Sequence, residues 1–236
     1  MRLSLVIPAF NEAQRLPGTL RLVREYLSRQ DYESEVIVVE DGSKDGTAEA
    51  ARAFDGVRVV QMPVNRGKGA AVREGMWKAA RGDFRVYYDA DASTPIEMLE
   101  RLWPCFEAGA DIVIGSRALS DSDVAVRQVW YRQEMGRMNN RLLRLLGLTP
   151  FPDTQCGFKG FTAAACEAVF PRQTIERFSF DAELLYIAAL RGLRIDEVPV
   201  RWENSPDTRV HPLRDASRMV LDALVIRMRA WRGAYR

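Results

Sequence analysis

The stretch Val86-Tyr87-Tyr88-Asp89-Ala90-Asp91-Ala92-Ser93-Thr94-Pro95 constrains this chain more than any other. An apolar, β-prone run over 84–88 breaks abruptly into two aspartates spaced i, i+2, and Thr94-Pro95 then opens a helical pattern. Such a strand delivers two carboxylates to its C-terminal end, where open α/β sheets place their ligands. Two neighbouring carboxylates repel each other. A hard divalent cation offsets them, and Mg²⁺ is usually held by one or two carboxylates plus substrate phosphates. The competing reading is a solvated acidic turn ahead of a helix.

The rest of the chain supplies the sheet that this strand needs. Residues 3–7 form an apolar run ended by Pro8, and a helix of period 3.6 follows, with Leu16, Leu20, Val23 and Leu27 on one face. A second strand over 36–39 runs into Glu40-Asp41-Gly42-Ser43, and a helix follows over 48–54. A third strand covers 57–62. Asn65-Arg66-Gly67-Lys68-Gly69 then opens an alanine-rich helix. After the strand at 84–88 come a helix over 96–106 and a strand over 112–114 that leads to Gly115-Ser116-Arg117. Buried strands alternating with helices predict a mostly parallel, doubly wound α/β sheet. Right-handed crossovers put the strand-end loops on one edge, so Glu12, Glu40, Asp41, Asp89, Asp91, Lys68 and Arg117 are expected to converge.

Beyond Arg117 the character changes. Residues 124–147 read as a long helix with five arginines and one acid, Glu134. A turn over 153–159 enters another strand, 178–183 begin a helix, and 195–202 form a last strand whose Pro199 favours a sheet edge. Residues 219–231 form a terminal helix, apolar with interspersed arginines.

The totals exclude several classes. At 236 residues, 47% hydrophobic, the chain suits one globular domain over 1–236, and its net charge of +2 gives no sign of nucleic-acid binding. Three cysteines without a CxxC pair and a single histidine, His211, argue against zinc and for a reducing, cytoplasmic setting. No apolar run reaches the ~18 residues of a membrane span.

A nucleoside diphosphate sugar asks for what these loops offer. Glu40 or Asp41 could accept from a base imide or a ribose hydroxyl, while Asp89 and Asp91 hold a metal on the diphosphate. Gly42 and Ser43 also suit a plain turn with a helix cap. The segment around Lys68 lacks the GxxxxGK[ST] spacing of a phosphate loop. Lys68 can still meet an anion near a helix start.

Seven segments in order carry a family resemblance: Val6 to Glu12, Val39 to Thr47, Asn65 to Gly69, Asp89-Ala90-Asp91, Gly115-Ser116-Arg117, Asp153 to Lys159, and Phe180 to Glu183. Together they resemble glycosyltransferase family 2, with its GT-A fold. Within it they resemble the dolichyl-phosphate (polyprenyl-phosphate) β-glucosyltransferases, close to the dolichyl-phosphate mannose synthases. The resemblance implies inverting transfer of a hexose from a nucleotide sugar, here glucose from UDP-glucose, onto a polyprenyl phosphate, with Mg²⁺ or Mn²⁺. It implies donor contacts at Pro8, Phe10, Glu12, Glu40, Asp41, Lys68 and Asp89, and metal contacts at Asp89 and Asp91. A loop over 205–212 would close on the diphosphate through Arg209. Glu40 stands where the family more often has aspartate. The chain then divides into a nucleotide-sugar half over 1–117, an acceptor half over 118–212 and a C-terminal amphipathic helix over 213–236.

The acceptor decides the mechanism. A lipid phosphate is already ionised, so it needs placement by positive charge, for which Arg117 and Arg132 are the candidates. A hydroxyl acceptor needs a general base, for which Asp181 and then Asp153 are the candidates, Asp181 being otherwise a helix N-cap. The arginine-bearing helices 124–147 and 219–231 suit peripheral contact with the cytoplasmic membrane face, or packing on the sheet or a partner. A sugar nucleotidyltransferase would need a Gly- and Arg-rich loop after the first strand, and Pro8-Ala9-Phe10-Asn11-Glu12 is not one. A non-catalytic nucleotide-binding scaffold would not need both Asp89 and Asp91.

Overall fold

The computed structural model describes residues 2–123, 130–203 and 212–235; the side chains of 130–135, 137, 139 and 212–217 lie outside that description. Among the described residues seven strands make one sheet: β1 (Arg2–Ala9), β2 (Glu33–Glu40), β3 (Val57–Gln61), β4 (Phe84–Tyr88), β5 (Ile112–Ser116), β6 (Phe158–Thr162) and β7 (Ile195–Pro199). Their order is β3-β2-β1-β4-β6-β5-β7. The helices are α1 (Leu16–Leu27), α2 (Thr47–Arg52), α3 (Lys68–Arg73), α4 (Trp103–Glu107), α5 (Trp130–Leu145), α6 (Ala163–Val169), α7 (Phe180–Leu190) and α8 (Pro212–Trp231).

The continuous apolar runs of β1, β2 and β4 are buried on both faces, as a helix-covered parallel sheet requires. Alternation along the strands splits their side chains between two cores. Leu3, Leu5, Ile7, Val36, Val38, Val86 and Tyr88 pack with α1 and the 96–106 segment. Val6, Ile37, Val39 and Tyr87 pack with α3, α6, α7 and part of α8. α3 continues as a π-helical turn over Glu74–Ala79. Gly75 lets that turn lie flush on the sheet, since a Cβ there would overlap Val6 and sit 2.9 Å from Val39 Cγ2.

β6 runs antiparallel to both neighbours, β4 and β5, inside an otherwise parallel sheet. Phe158 stands opposite Tyr88 and Thr162 opposite Phe84. The loop that enters β6 therefore arrives at the edge where β4 ends. The expected helix over 96–106 is instead a 3₁₀ stretch, Ile96–Arg101, followed by α4. Pro104 restarts the helix because it has no amide hydrogen and suits only a first turn. The last strand stops at Pro199 on the sheet edge, not at Trp202. The terminal helix begins at Pro212, not 219. Within the span 124–147, α5 covers Trp130–Leu145, and 124–129 lie outside the described residues.

α8 packs one side on the body through Ala223 and Ile226 and leaves Val220, Leu221, Leu224, Met228 and Trp231 exposed. The turn after it buries Tyr235, whose hydroxyl donates to Glu183 Oε1 at 2.7 Å. No described helix is long and apolar enough to cross a membrane. All three cysteines are free.

Candidate active site

The strand ends of β1, β2, β4 and β5 share one edge of the sheet, and the start of α3 and the 153–157 loop join them there. Asp89 follows β4 directly. Its backbone N–H donates to the Gly157 carbonyl at 3.1 Å, and its Oδ1 pairs with Lys68 Nζ at 2.6 Å. Asp91 Oδ1 accepts from the Ser93 amide at 3.0 Å. Between them Ala92 sits at φ +52°, a left-handed conformation that costs a residue with a side chain about 1–2 kcal/mol. Burial, then the charge of Asp89, raises the pKa of the Asp91 carboxyl. For Lys68, Asp89, Asp181 and Asp91 outweigh the burial that would lower it, and its ammonium form is favoured.

Two carboxylates at one strand end beside a single lysine leave negative charge to be offset. This donor set fits Mg²⁺ or Mn²⁺ completed by phosphate oxygens. Among the described residues no group of three or more His, Cys, Asp or Glu side chains forms an all-protein cage.

β2 contributes Glu40 and Asp41. Asp41 is buried, and its carboxylate is held by the 65–67 loop: Arg66 N at 2.8 Å, Gly67 N at 2.7 Å and Asn65 Nδ2 at 2.9 Å. Burial raises its pKa, with those amides working against the rise. Asp41 thus fixes the loop that launches Lys68. Gly67, at φ +111°, is required where that loop passes the Glu176 carbonyl. Glu40 is 1% exposed; its Oε1 accepts from the Ser43 amide, while Oε2 has no hydrogen-bond partner among the described residues. A buried carboxylate oxygen left this way is costly unless a ligand donor meets it. Pro8 is buried at the end of β1, opposite Val39, and Phe10 is half-buried beyond it. Glu12 is turned to Arg15, with contacts of 2.7 and 2.6 Å.

On the other side of β4 lie the two candidate bases, Asp153 and Asp181, each paired with a cation. Asp153 accepts from Arg117 Nε at 2.7 Å and Nη2 at 2.8 Å, and also from its backbone amide at 2.9 Å. Burial would raise the Asp153 pKa, but the Arg117 guanidinium outweighs it and holds the carboxyl at about 2. Such a group does not serve as a general base near neutral pH. Arg117, stacked at 5.3 Å over the Trp202 ring, keeps only part of its donor fork for another anion.

Asp181 is not the N-cap of α7. Ser179 holds that position, and Asp181 lies in the first turn. Its Oδ1 accepts from Lys159 Nζ at 2.7 Å and from the Tyr87 hydroxyl. Lys159 also donates to the Cys156 carbonyl at 2.6 Å. Lys159, Tyr87 and Gly157 join the site without having stood out as candidates in the sequence. The available signal was a lone lysine in the apolar strand Phe158–Thr162. Arg132 lies in α5, but its side chain is outside the described part, as is the whole of Arg209.

Residues 4–170 match the family model described as Glycosyl transferase family 2. The chain belongs to glycosyltransferase family 2. As a member it is a glycosyltransferase, and its sheet is the GT-A fold. It is 35% identical to the human dolichyl-phosphate beta-glucosyltransferase, an alignment covering 100% of this chain and 78% of the relative. The Saccharomyces cerevisiae protein of the same name is 30% identical, with coverage of 99% and 76%. Among solved structures, the mannosyl-3-phosphoglycerate synthase of Rubrobacter xylanophilus superposes with a TM-score of 0.73 at 21% identity, covering 99% of this chain and 75% of that one. The glucosyl-3-phosphoglycerate synthase of Mycobacterium tuberculosis, in complex with Mn²⁺, UDP and glucosyl-3-phosphoglycerate, gives a TM-score of 0.71 at 23% identity, covering 96% and 79%. At these identities the two structures bear on the fold alone.

Proposed function

We propose that this glycosyltransferase moves glucose from UDP-glucose onto a dolichyl or other polyprenyl phosphate with inversion at the anomeric carbon. The observation that carries the reading is the pairing at the end of β4: Asp89 and Asp91 side by side, with Lys68 on Asp89. That charge pattern supports an edge that takes a diphosphate with a divalent cation. The full-length likeness to dolichyl-phosphate beta-glucosyltransferases supplies the sugar and the acceptor.

Glu40 would receive the base imide on its unpartnered oxygen, with Pro8, Phe10 and Glu12 bordering the nucleoside and Asp41 holding the loop of Lys68. Asp89 and Asp91 would hold Mg²⁺ or Mn²⁺, which when bound neutralises charge building on the departing diphosphate. Lys68 adds a second positive charge there. An oxygen of the acceptor phosphate attacks the anomeric carbon, the bond from that carbon to the diphosphate breaks, and UDP leaves with the electron pair. No proton has to be removed, which suits a site whose two nearby acids, Asp153 and Asp181, are both occupied by cations. Arg117 would present its remaining N–H groups to the acceptor phosphate, with Arg132 as a second acceptor contact and Arg209 as a contact to the donor diphosphate. In this scheme the nucleotide sugar belongs to 1–117 and the acceptor to 118–212. The exposed apolar stripe of α8, with Arg218 and Arg232 also exposed, favours peripheral contact with an anionic membrane surface.

The test is transfer of labelled sugar from a panel of nucleotide sugars to a short polyprenyl phosphate and to glycerate or sugar hydroxyls, with Mn²⁺ or with excess chelator. UDP-glucose with the lipid phosphate should dominate, and chelator should abolish turnover. Transfer to hydroxyls alone, or full activity in chelator, would overturn the reading.

A further inference from the structure

Gly157 ends the loop that enters β6 and faces Asp89 across the site. A Cβ built on it would overlap all three carboxyl atoms of Asp89, the farthest of them, Oδ1, lying only 2.5 Å away. Gly157 is not among the positive-φ residues, so its backbone does not call for glycine. The three atoms nearest to a Cβ there all belong to the Asp89 carboxyl group. Neither backbone can retreat. The Asp89 amide is bonded to the Gly157 carbonyl at 3.1 Å, and the adjoining residues Tyr88 and Phe158 are paired in the sheet. The Asp89 side chain itself is one-third exposed and can rotate. A methyl group at 157 would therefore displace the carboxylate from its present position, with Oδ2 and Cγ pressed hardest, and leave the sheet in place.

We propose that Gly157 is a positioning residue: it is the flat wall against which the Asp89 carboxylate lies, and it sets the direction in which that carboxylate meets a metal-bound diphosphate. The proposal rests on the reading of Asp89 as a metal contact. It also ties the two sides of the site together, because the same short loop carries Asp153, the partner of Arg117. A shift of the acceptor-side loop would reach Asp89 directly through Gly157.

The experiment is a double-mutant cycle on the full chain with Gly157→Ala, Asp89→Ala and the pair. Two quantities are read: the thermal midpoint without metal, and Mn²⁺ affinity in the presence of UDP, by electron paramagnetic resonance of free Mn²⁺. Gly157→Ala should lower Mn²⁺ affinity about 10- to 100-fold, the range for residues that orient metal ligands. It should lower the metal-free midpoint by about 2–8 °C, as mild overpacking does in a chain of this size. In the Asp89→Ala background, where the overlapped atoms are gone, Gly157→Ala should leave the midpoint unchanged. If the single Gly157→Ala variant does not fold, recovery of folding in the double variant supports the proposal, and failure to recover overturns it. Equal loss of midpoint in both backgrounds, or wild-type Mn²⁺ affinity in Gly157→Ala, also overturns it. Wild-type protein that binds no Mn²⁺ with UDP overturns the metal assignment itself, a result distinct from loss of the coupling.

Discussion

Lys68 meets Asp89 at 2.6 Å, and Lys159 meets Asp181 at 2.7 Å. The chemistry is the same and β4 touches both, through Asp89 at its end and through Tyr87, whose hydroxyl bonds Asp181. Burial separates them. The Lys68 and Asp89 side chains are 23% and 33% exposed, those of Lys159 and Asp181 1% and 6%. Water can replace either partner of the first pair, so a ligand can too. The second pair has no such exchange; its charges are committed to each other and to the Cys156 carbonyl. Distance alone would call these pairs alike, and exposure separates one that solvent reaches from one sealed inside the protein.

That contrast can be tested by removing one lysine at a time. Lys159→Met should cost about 3–5 kcal/mol in urea unfolding, because it strands the Asp181 carboxylate inside the protein. Lys68→Met should leave unfolding within about 1 kcal/mol of wild type, because water reaches both half-buried side chains and takes up the charge left behind. Its transfer rate should fall about 10- to 150-fold through a lost charge-assisted contact of roughly 1.5–3 kcal/mol. If Lys68→Met unfolds as easily as Lys159→Met, the division by burial is wrong.

The pair between Arg117 and Asp153 lies between these extremes, with side chains 26% and 5% exposed. Because the folded pKa of Asp153 is depressed from 3.8 to about 2, its contribution is present above about pH 4 and disappears as pH falls toward 2. It amounts to roughly 2 kcal/mol. Urea unfolding of wild type should show this loss in that window. Asp153→Asn should lack that portion of the pH slope, and an unchanged slope would mean that Asp153 titrates normally.

The parallel half of the fold was legible because β1, β2 and β4 are long apolar runs, each ending in Pro8, Glu40-Asp41 or Asp89, and helices separate them. β6 was harder. Five residues, Phe158-Lys159-Gly160-Phe161-Thr162, carry no sign of their direction, so the antiparallel insertion between β4 and β5 had no trace in the sequence. Among site residues the acids were visible as chemistry out of place after buried strands. Their partners were not, since Arg117 and Asp153 are 36 residues apart and were assigned to different roles. Asp181 looked like a cap because its partner, Lys159, sits on another element facing the same core. Tyr235 could not be foreseen at all: its burial depends on where α8 ends relative to Glu183.

The place of β6 also affects how the chain is made. β4 pairs with β1 on one side, and its other edge is completed only by β6. β5 is synthesised earlier than β6 but is not a neighbour of β4. Synthesis of the intervening roughly 70 residues takes on the order of 4 to 14 s at 5–20 residues per second. For that interval a nascent chain presents the bare edge of an apolar strand, the kind of template on which other chains pair. The length of that exposure is set by strand order and by the rate of synthesis.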